Sequence, residues 1–315
     1  MSLLVVATGA TGFVGGPLCR LLAEQGHAVK AALRVQTKDF PYPSIAVGSI
    51  GPATDWTTAL AGCDAIVHLA AHVHEVAPTS ESMEIYRDVN VEGTRNLAHR
   101  AAQSGVRRFV FLSSVKVHGE ATFGRALLET DPPMPVDNYG ISKTQAETSL
   151  MQIAADTGME VVIVRAPLVY GPGVKANFLS LLRAVDAGVP LPFRSVSNSR
   201  SLIYLGNLVH ALATCLTHPA AANRTFFVSD GQDVSTPQLI DKLAAALGKK
   251  ARLFPFPPAL LAGVGSLIGR ANMMSRLTDS LQVDISSIRS TLGWEPPFTL
   301  SQGLADTAYW YRNTR

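Results

Sequence analysis

The stretch NYGISK, Asn138 to Lys143, sets a tyrosine, Tyr139, four positions before a lysine, Lys143. On a helix, positions i and i+4 lie on one face, so the phenol and the ammonium can act together. A phenol has an ordinary pKa of about 10, and a neighbouring ammonium favours the phenolate, which suits tyrosine to proton exchange nearer neutrality. The same spacing occurs in many helices without chemistry, and the proline-rich DPPMPVD just before it would explain a helix start equally well. Two further features favour chemistry. The loop TGATGFVGG spaces Gly9, Gly12 and Gly15 as G-x-x-G-x-x-G between an apolar run and a helical pattern. Glycines there let the backbone turn tightly and approach a pyrophosphate at a helix N-terminus, although a purely structural turn has the same composition. The serines of LSS, Ser113 and Ser114, leave an apolar run just upstream of the Tyr139 helix. A hydroxyl at the C-terminal edge of a parallel strand faces the ligand crevice of an open sheet.

These groups need a scaffold, and the sequence supplies the pattern for one. LLVVAT, AVKAAL, DAIVHLA, RFVFLSS and VVIVRAP read as strands. They alternate with helices at PLCRLLAEQG, from about Glu81 to Gln103, and from Tyr139 to about Asp156. Alternation of helices with nearly continuous apolar strands predicts an α/β fold with a doubly wound parallel sheet covered on both faces. Beyond Val169 the pattern loosens, with a helix at TPQLIDKLAAALG and a proline-rich FPFPP. The predicted division is a dinucleotide-binding domain over residues 1–168 and a smaller, mainly substrate-binding lobe over 169–315, whose strands return to the sheet.

Composition narrows the function classes. Hydrophobic residues make up 47% and charged residues 16%, which excludes a disordered chain. A net charge of +3 without basic runs argues against nucleic acid as a partner. The three cysteines are far apart and form no CxxC, so no disulfide framework or zinc site is expected, and a cytoplasmic location fits. LLVVA is read as a first strand rather than a signal peptide, and PALLAGVGSLIG from Pro258 is too short to span a bilayer and is read as a buried helix. His68, His72 and His74 follow a strand without helical i, i+4 pairing or a carboxylate partner, so no metal is expected there. At the end of the second strand no acidic residue precedes Asp39. Arg34 leaves that strand with Lys38 close behind, which points to NADP(H), with NAD(H) as the alternative if Arg34 is merely solvated.

Read together, TGATGFVG, HLAA at His68 to Ala71, VNVEGT at Val89 to Thr94, FLSSVKVHG, YGISK, RAPLVYGPG and DISSIRSTLGW resemble the extended short-chain dehydrogenase/reductases, also called the NAD-dependent epimerase/dehydratase family. The resemblance covers nearly the whole chain and implies a Rossmann domain. It implies that Ser114 hydrogen-bonds the reacting oxygen, with Ser113 as the lesser candidate, that Tyr139 exchanges its proton, and that Lys143 holds the nicotinamide ribose and lowers the tyrosine pKa. It implies further cofactor contacts at Thr11, Phe13 and Val14, at Leu69, Ala70 and Ala71, at Asn90, and at Pro167 and Val169. It also implies a homodimer through the helix from Glu81 and the helix carrying Tyr139, with apolar stripes facing inward.

On the substrate side, Asn177 in VKANFLSLL and Arg200 in NSRSLIYLGNL match positions where nucleotide-sugar members of that family reach a diphosphate, and Lys116 is a further candidate or a solvated loop residue. The narrower likeness is to bacterial reductases of UDP-4-keto-6-deoxy-N-acetylhexosamines in surface-polysaccharide synthesis. That makes an NADPH-dependent reductase the expected function. The alternatives are a UDP-sugar 4-epimerase with tightly held NAD and a non-catalytic dinucleotide sensor of the same fold, the latter disfavoured because Tyr139 and Lys143 are both present. A dehydratase is disfavoured too, since Val115 and Lys116 follow Ser114 where that branch carries an Asp-Glu pair.

Overall fold

The computed structural model describes residues 2–37, 39–73, 80–258, 260–261, 263 and 271–314. Its strands in chain order are β1 (Leu4–Thr8), β2 (Ala28–Leu33), β3 (Ser44–Ala46), β4 (Ala65–His68), β5 (Arg108–Ser114), β6 (Glu160–Ala166), β7 (Leu168–Tyr170), β8 (Leu202–Tyr204) and β9 (Arg224–Phe227). Seven of them form a sheet in the order β3-β2-β1-β4-β5-β6-β9, parallel throughout, while β7 and β8 pair in a small sheet of their own. The order reverses between β1 and β4, and ligands of such sheets bind at that point, outside the carboxyl ends of the strands.

The helices are α1 (Gly15–Glu24), α2 (Thr57–Leu60), α3 (Ser80–Tyr86), α4 (Gly93–Gln103), α5 (Asn138–Thr157), α6 (Ala176–Asp186), α7 (Leu205–Thr217), α8 (Thr236–Ala246), α9 (Ala271–Thr278), α10 (Ser286–Leu292) and α11 (Leu300–Asn313). Between α3 and α4 the chain stays helical through a π-helical stretch, Arg87–Glu92. The start of α5 is fixed by Asp137, whose carboxylate accepts from the Gly140 amide at 2.7 Å, and its end by Gly158 in a left-handed conformation with φ of +77°.

Strand alternation divides the core between the two faces of the sheet. Val5 and Ala7 of β1 pack with Leu18 and Leu22 of α1 and Leu208 and Leu212 of α7. Val6, with Phe109 and Phe111 of β5, packs with Leu97 of α4 and Leu150 and Ala154 of α5. Each large side chain removed wholly from water here contributes about 1.5–3 kcal/mol. The doubly wound reading holds, and β9 carries the later chain back to the sheet beside β6.

The apolar sides of α4 and α5 face the sheet, and their exposed positions carry Arg95, His99, Arg100 and Gln103 on one and Gln145, Thr148 and Gln152 on the other. Ile141 on α5 and Met83 and Ile85 on α3 stay exposed as well. The segment from Pro258 lies largely outside the described residues, as do Lys38 and His74. Among the described residues no helix is long and apolar enough to cross a membrane.

Candidate active site

The sheet's switch point lies between the loop after β1 and the loop after β4, and the two are in close contact. Gly9 has φ of +68°, and a Cβ there would sit 2.8 Å from the Ala70 amide nitrogen. A Cβ on Gly15 would lie 2.1 Å from the Gly9 carbonyl oxygen, so this position too admits only glycine. The Gly12 amide donates back to the Gly9 carbonyl at 2.9 Å, which closes the turn before α1. No side chain caps the N-terminus of α1 and no acidic residue stands in its first turn, which suits an anion there. Thr11 and Gly12 are exposed on the rim, Phe13 and Val14 are half-buried, and Phe13 lies 3.6 Å from where a Cβ on Gly173 would be. A cradle from which two Cβ atoms are barred fits a dinucleotide pyrophosphate.

The end of β4 is fastened by Thr8 and Thr94, which sequence reasoning did not single out, together with His68, which it weighed only as a metal ligand. The Thr8 hydroxyl oxygen accepts from the amides of Leu69 and Ala70, at 3.2 Å each, and lies 2.7 Å from His68 Nδ1. His68 Nε2 lies 2.9 Å from the Thr94 hydroxyl. Burial, with Lys143 nearby, pushes the His68 pKa down to about 3, so the imidazole is neutral and both its nitrogens are engaged with threonines. Ala71 continues this half-buried loop to His72. Asn90, buried on the π-helical stretch, accepts from the His72 amide at 2.7 Å and donates to the His72 carbonyl and to Ser142 Oγ, both at 3.0 Å. Its amide side chain is spent on tying the β4 loop to α5. A threonine ending the first strand and a histidine ending the fourth were the available signals.

Arg34 follows β2 directly and is exposed, and no described residue forms an ion pair with it. Pro167 is buried between β6 and β7, and Val169 lies in β7 opposite Ile203.

Ser114, Tyr139 and Lys143 converge where β5 meets α5. Lys143, only 2% exposed, donates from Nζ to the Leu112 carbonyl at 2.9 Å and stands 4.2 Å from the Phe111 ring centre and 5.8 Å from that of Tyr139. Burial drives its pKa down to about 7, partly offset by Glu147. Burial drives the Tyr139 pKa well above its ordinary value, with the charge of Asp137 and the phenol of Tyr86 adding to it. The lowering of the tyrosine pKa expected from Lys143 does not appear in this arrangement, where burial dominates. The two serines separate cleanly. Ser114 is half-buried and accepts from the Lys116 amide at 3.2 Å, whereas Ser113 is buried and donates to Glu147 Oε1. Ser113 is committed to the core and is withdrawn as a catalytic candidate.

Lys116 sits on a short 3-10 turn, Val115–His118, where it pairs with Asp137 and lies 2.6 Å from Glu120 Oε1. Arg200 is held between Val234 and Leu281 by backbone bridges and donates from Nη1 to the Asp279 carbonyl at 2.9 Å. Its guanidinium shares the field of Glu120 with Arg276 of α9, which donates from Nη2 to Glu120 Oε1 at 2.8 Å. Lys116, Arg200 and Arg276 thus gather around one carboxylate. Arg276 was not anticipated, being one more helical arginine in the sequence. Asn177 is exposed on the first turn of α6, after Ala176 at φ of +50°, and no hydrogen bond joins it to the basic group among the described residues.

Comparison with known proteins follows the same lines. The model of the NAD dependent epimerase/dehydratase family matches residues 5–228. A UDP-glucose 4-epimerase of Vibrio cholerae is 46% identical over 308 residues, covering 96% of this chain and 94% of its own. An N-acetyl-alpha-D-glucosaminyl-diphospho-ditrans,octacis-undecaprenol 4-epimerase of Escherichia coli O157:H7 is 31% identical over 319 residues, covering 96% and 93%. The solved structure of MoeE5 in complex with UDP-glucose and NAD aligns at a TM-score of 0.79 and 26% identity, over 98% of this chain and 99% of that one. A glycine cradle at the switch point, a Ser-Tyr-Lys group beside it and matches of this extent lead to one conclusion: the chain belongs to the NAD dependent epimerase/dehydratase family.

Proposed function

We propose that this enzyme is a UDP-sugar 4-epimerase that keeps NAD bound through turnover. The observation that carries the reading is the 46% identity, from end to end, with the Vibrio cholerae UDP-glucose 4-epimerase, in a chain that retains Ser114, Tyr139 and Lys143. This reverses the preference for a reductase drawn from the sequence. The cofactor, when bound, supplies the hydride acceptor and donor at the sugar carbon. Gly9, Gly12 and Gly15 would hold its pyrophosphate, and Lys143 its ribose.

The remaining chemistry is proton management by the chain's own groups. Among the described residues Ser114 Oγ accepts from the Lys116 amide, and its own proton is available to a substrate oxygen. Tyr139 has a neutral phenol, suited to returning a proton to that oxygen in the second half-reaction. To accept the proton in the first half it must be a phenolate, and the Lys143 ammonium, on the same helix face, is the charge that stabilises that form. Around Glu120, Lys116, Arg200 and Arg276 offer cationic groups to a diphosphate, for which the planar fork of arginine is well shaped.

A second reading, NADPH-dependent reduction of a UDP-4-keto sugar, rests on the exposed Arg34 after β2 and the lack of an acidic residue there. One experiment separates the two. Nucleotides released by denaturing the purified protein are identified by mass, and the native protein is incubated with UDP-glucose or UDP-N-acetylglucosamine without added cofactor. Released NAD and formation of the C4 epimer support the epimerase. No bound NAD, no epimer, and consumption of NADPH on a UDP-4-keto sugar would replace it with the reductase.

A further inference from the structure

Behind the Ser-Tyr-Lys group lies a buried set of polar side chains that the reaction scheme does not use. Glu147, one turn beyond Lys143 on α5, accepts from Ser113 Oγ, from Arg165 Nε at 3.1 and 3.2 Å and from Arg165 Nη2 at 2.6 Å. Arg165 Nη1 also lies 2.7 Å from His118 Nε2 and donates to the Glu129 carbonyl at 3.1 Å. Ser113, His118, Glu147 and Arg165 are all less than one-tenth exposed. Isolating such charges from water is costly, and replacing a buried pair by apolar residues often stabilises a protein, so stability alone is a weak account of it.

The geometry ties this set to the site. Two successive turns of α5 grip two successive residues at the end of β5: Lys143 holds the Leu112 carbonyl, and Glu147 holds the Ser113 hydroxyl. The next residue is Ser114. We propose that Glu147 is a positioning residue of the active site, which anchors the end of β5 through Ser113 and sets a fixed negative charge one helical turn from Lys143.

The groups around Lys143 leave that task to Glu147. On β4, His68 is neutral, with both nitrogens engaged. Tyr139, on α5 itself, is a neutral phenol, and the charge of Asp137 and the phenol of Tyr86 act on Tyr139. On the 3-10 turn, His118 is held below its ordinary pKa by burial and by Arg165, and it too is neutral. Arg165, on β6, is engaged with Glu147, His118 and the Glu129 carbonyl. Among the described residues, Glu147 is the carboxylate that acts on the Lys143 ammonium, and it opposes the burial that lowers the lysine pKa. Arg165 fixes the carboxylate in place.

The inference rests on Lys143 being the functional lysine, but its test reads the lysine directly and needs neither substrate nor cofactor. The full chain is labelled with [ε-13C]lysine and titrated by NMR, with the Lys143 resonance identified by its loss in Lys143→Arg. Glu147→Gln keeps the shape and hydrogen-bond acceptors but removes the charge. It should lower the Lys143 midpoint by about one unit or more, as expected for loss of an opposite charge at close range. Glu147→Asp keeps the charge on a shorter stem and should leave the midpoint within about half a unit of the parent. An unmoved midpoint in folded Glu147→Gln overturns the proposal, as does a larger downward shift in Glu147→Asp than in Glu147→Gln. Should Glu147→Gln not fold, the double variant Glu147→Met with Arg165→Met, which removes the buried pair together, takes its place, and an unmoved midpoint there overturns the proposal. A failed epimerase assay would leave this result standing, and a failed titration would leave the epimerase reading standing.

Discussion

The adjacent serines at the end of β5 give the sharpest separation of structure from chemistry. Ser113 Oγ donates to a buried carboxylate, and Ser113→Ala removes one charge-assisted hydrogen bond of the kind that contributes about 1.5–3 kcal/mol. The loss falls at the lower end of that range, because Glu147 keeps its bonds from Arg165 and no charge is orphaned. The buried methyl offsets part of it, so urea unfolding should report about 1–2 kcal/mol of destabilisation. Ser114→Ala removes only an acceptor for the Lys116 amide at 3.2 Å, next to a single 3-10 turn, and should change stability by about 0.5 kcal/mol or less. In turnover the order reverses. Loss of a hydroxyl aimed at the reacting oxygen should lower kcat by about a hundredfold or more, as for other oxyanion donors, while Ser113→Ala, which cuts only the anchor behind Ser114, should lower it far less, by about tenfold or under. The assay is epimer formation at saturating UDP-sugar, with unfolding curves on the same preparations. Equal losses of kcat in the two variants, or full activity in Ser114→Ala, would refute the assignment drawn from strand orientation.

Three further outcomes are expected. Tyr139→Phe should lose about a hundredfold or more in turnover while retaining bound cofactor, since only the proton-carrying oxygen is removed; cofactor released on denaturation and kcat measured together check it. Arg34→Ala should leave NAD affinity unchanged, and a tenfold to hundredfold loss of NADPH affinity, worth roughly 1.5–3 kcal/mol, would instead favour the reductase. His68 has its pKa depressed to about 3 in the fold, so its contribution to stability is complete above the unfolded value of about 6.5 and falls away as pH drops from there towards 3. Between pH 6.5 and 5 the loss should approach roughly 2 kcal/mol, at about 1.4 kcal/mol per unit. Urea unfolding of His68→Gln, which has no imidazole to protonate, should show a pH dependence shallower by that amount.

Much of the scaffold was legible because its signals are local. AVKAAL and RFVFLSS coincide with β2 and β5, and the predicted Tyr139 helix begins one residue after the actual start of α5. The glycine loop was readable because backbone contact between β1 and β4 leaves no room for Cβ at Gly9 or Gly15. The strands passed over are short or pair across long separations. β3 has three residues, β7 pairs with β8 more than thirty positions on, and β9 becomes a strand only by lying along β6. The helical stretch from Glu81 was seen, but its π-helical turn was not. That turn carries Asn90, whose bonds to His72 and Ser142 are tertiary, and helical periodicity carries no trace of them.

The choice between Ser113 and Ser114 was in fact written in the strand. Side chains alternate along β5, so Ser113 falls on the face of Phe109 and Phe111, and Ser114 on the face of Val110. The first face packs against α5, the second against the opposite layer. On β6 the same period puts Arg165 with Val161 and Ile163, beneath α5. Glu147, three and seven residues before the buried Leu150 and Ala154, lies on the covered side of that helix. An arginine within an apolar strand and a glutamate on the apolar side of the next helix are each anomalous alone. Each is explained once the sheet brings them to hydrogen-bond distance, 18 residues apart in the chain. Lys143 and Tyr139 could be proposed from spacing, but the charge balance that governs them depends on residues that only the sheet makes neighbours.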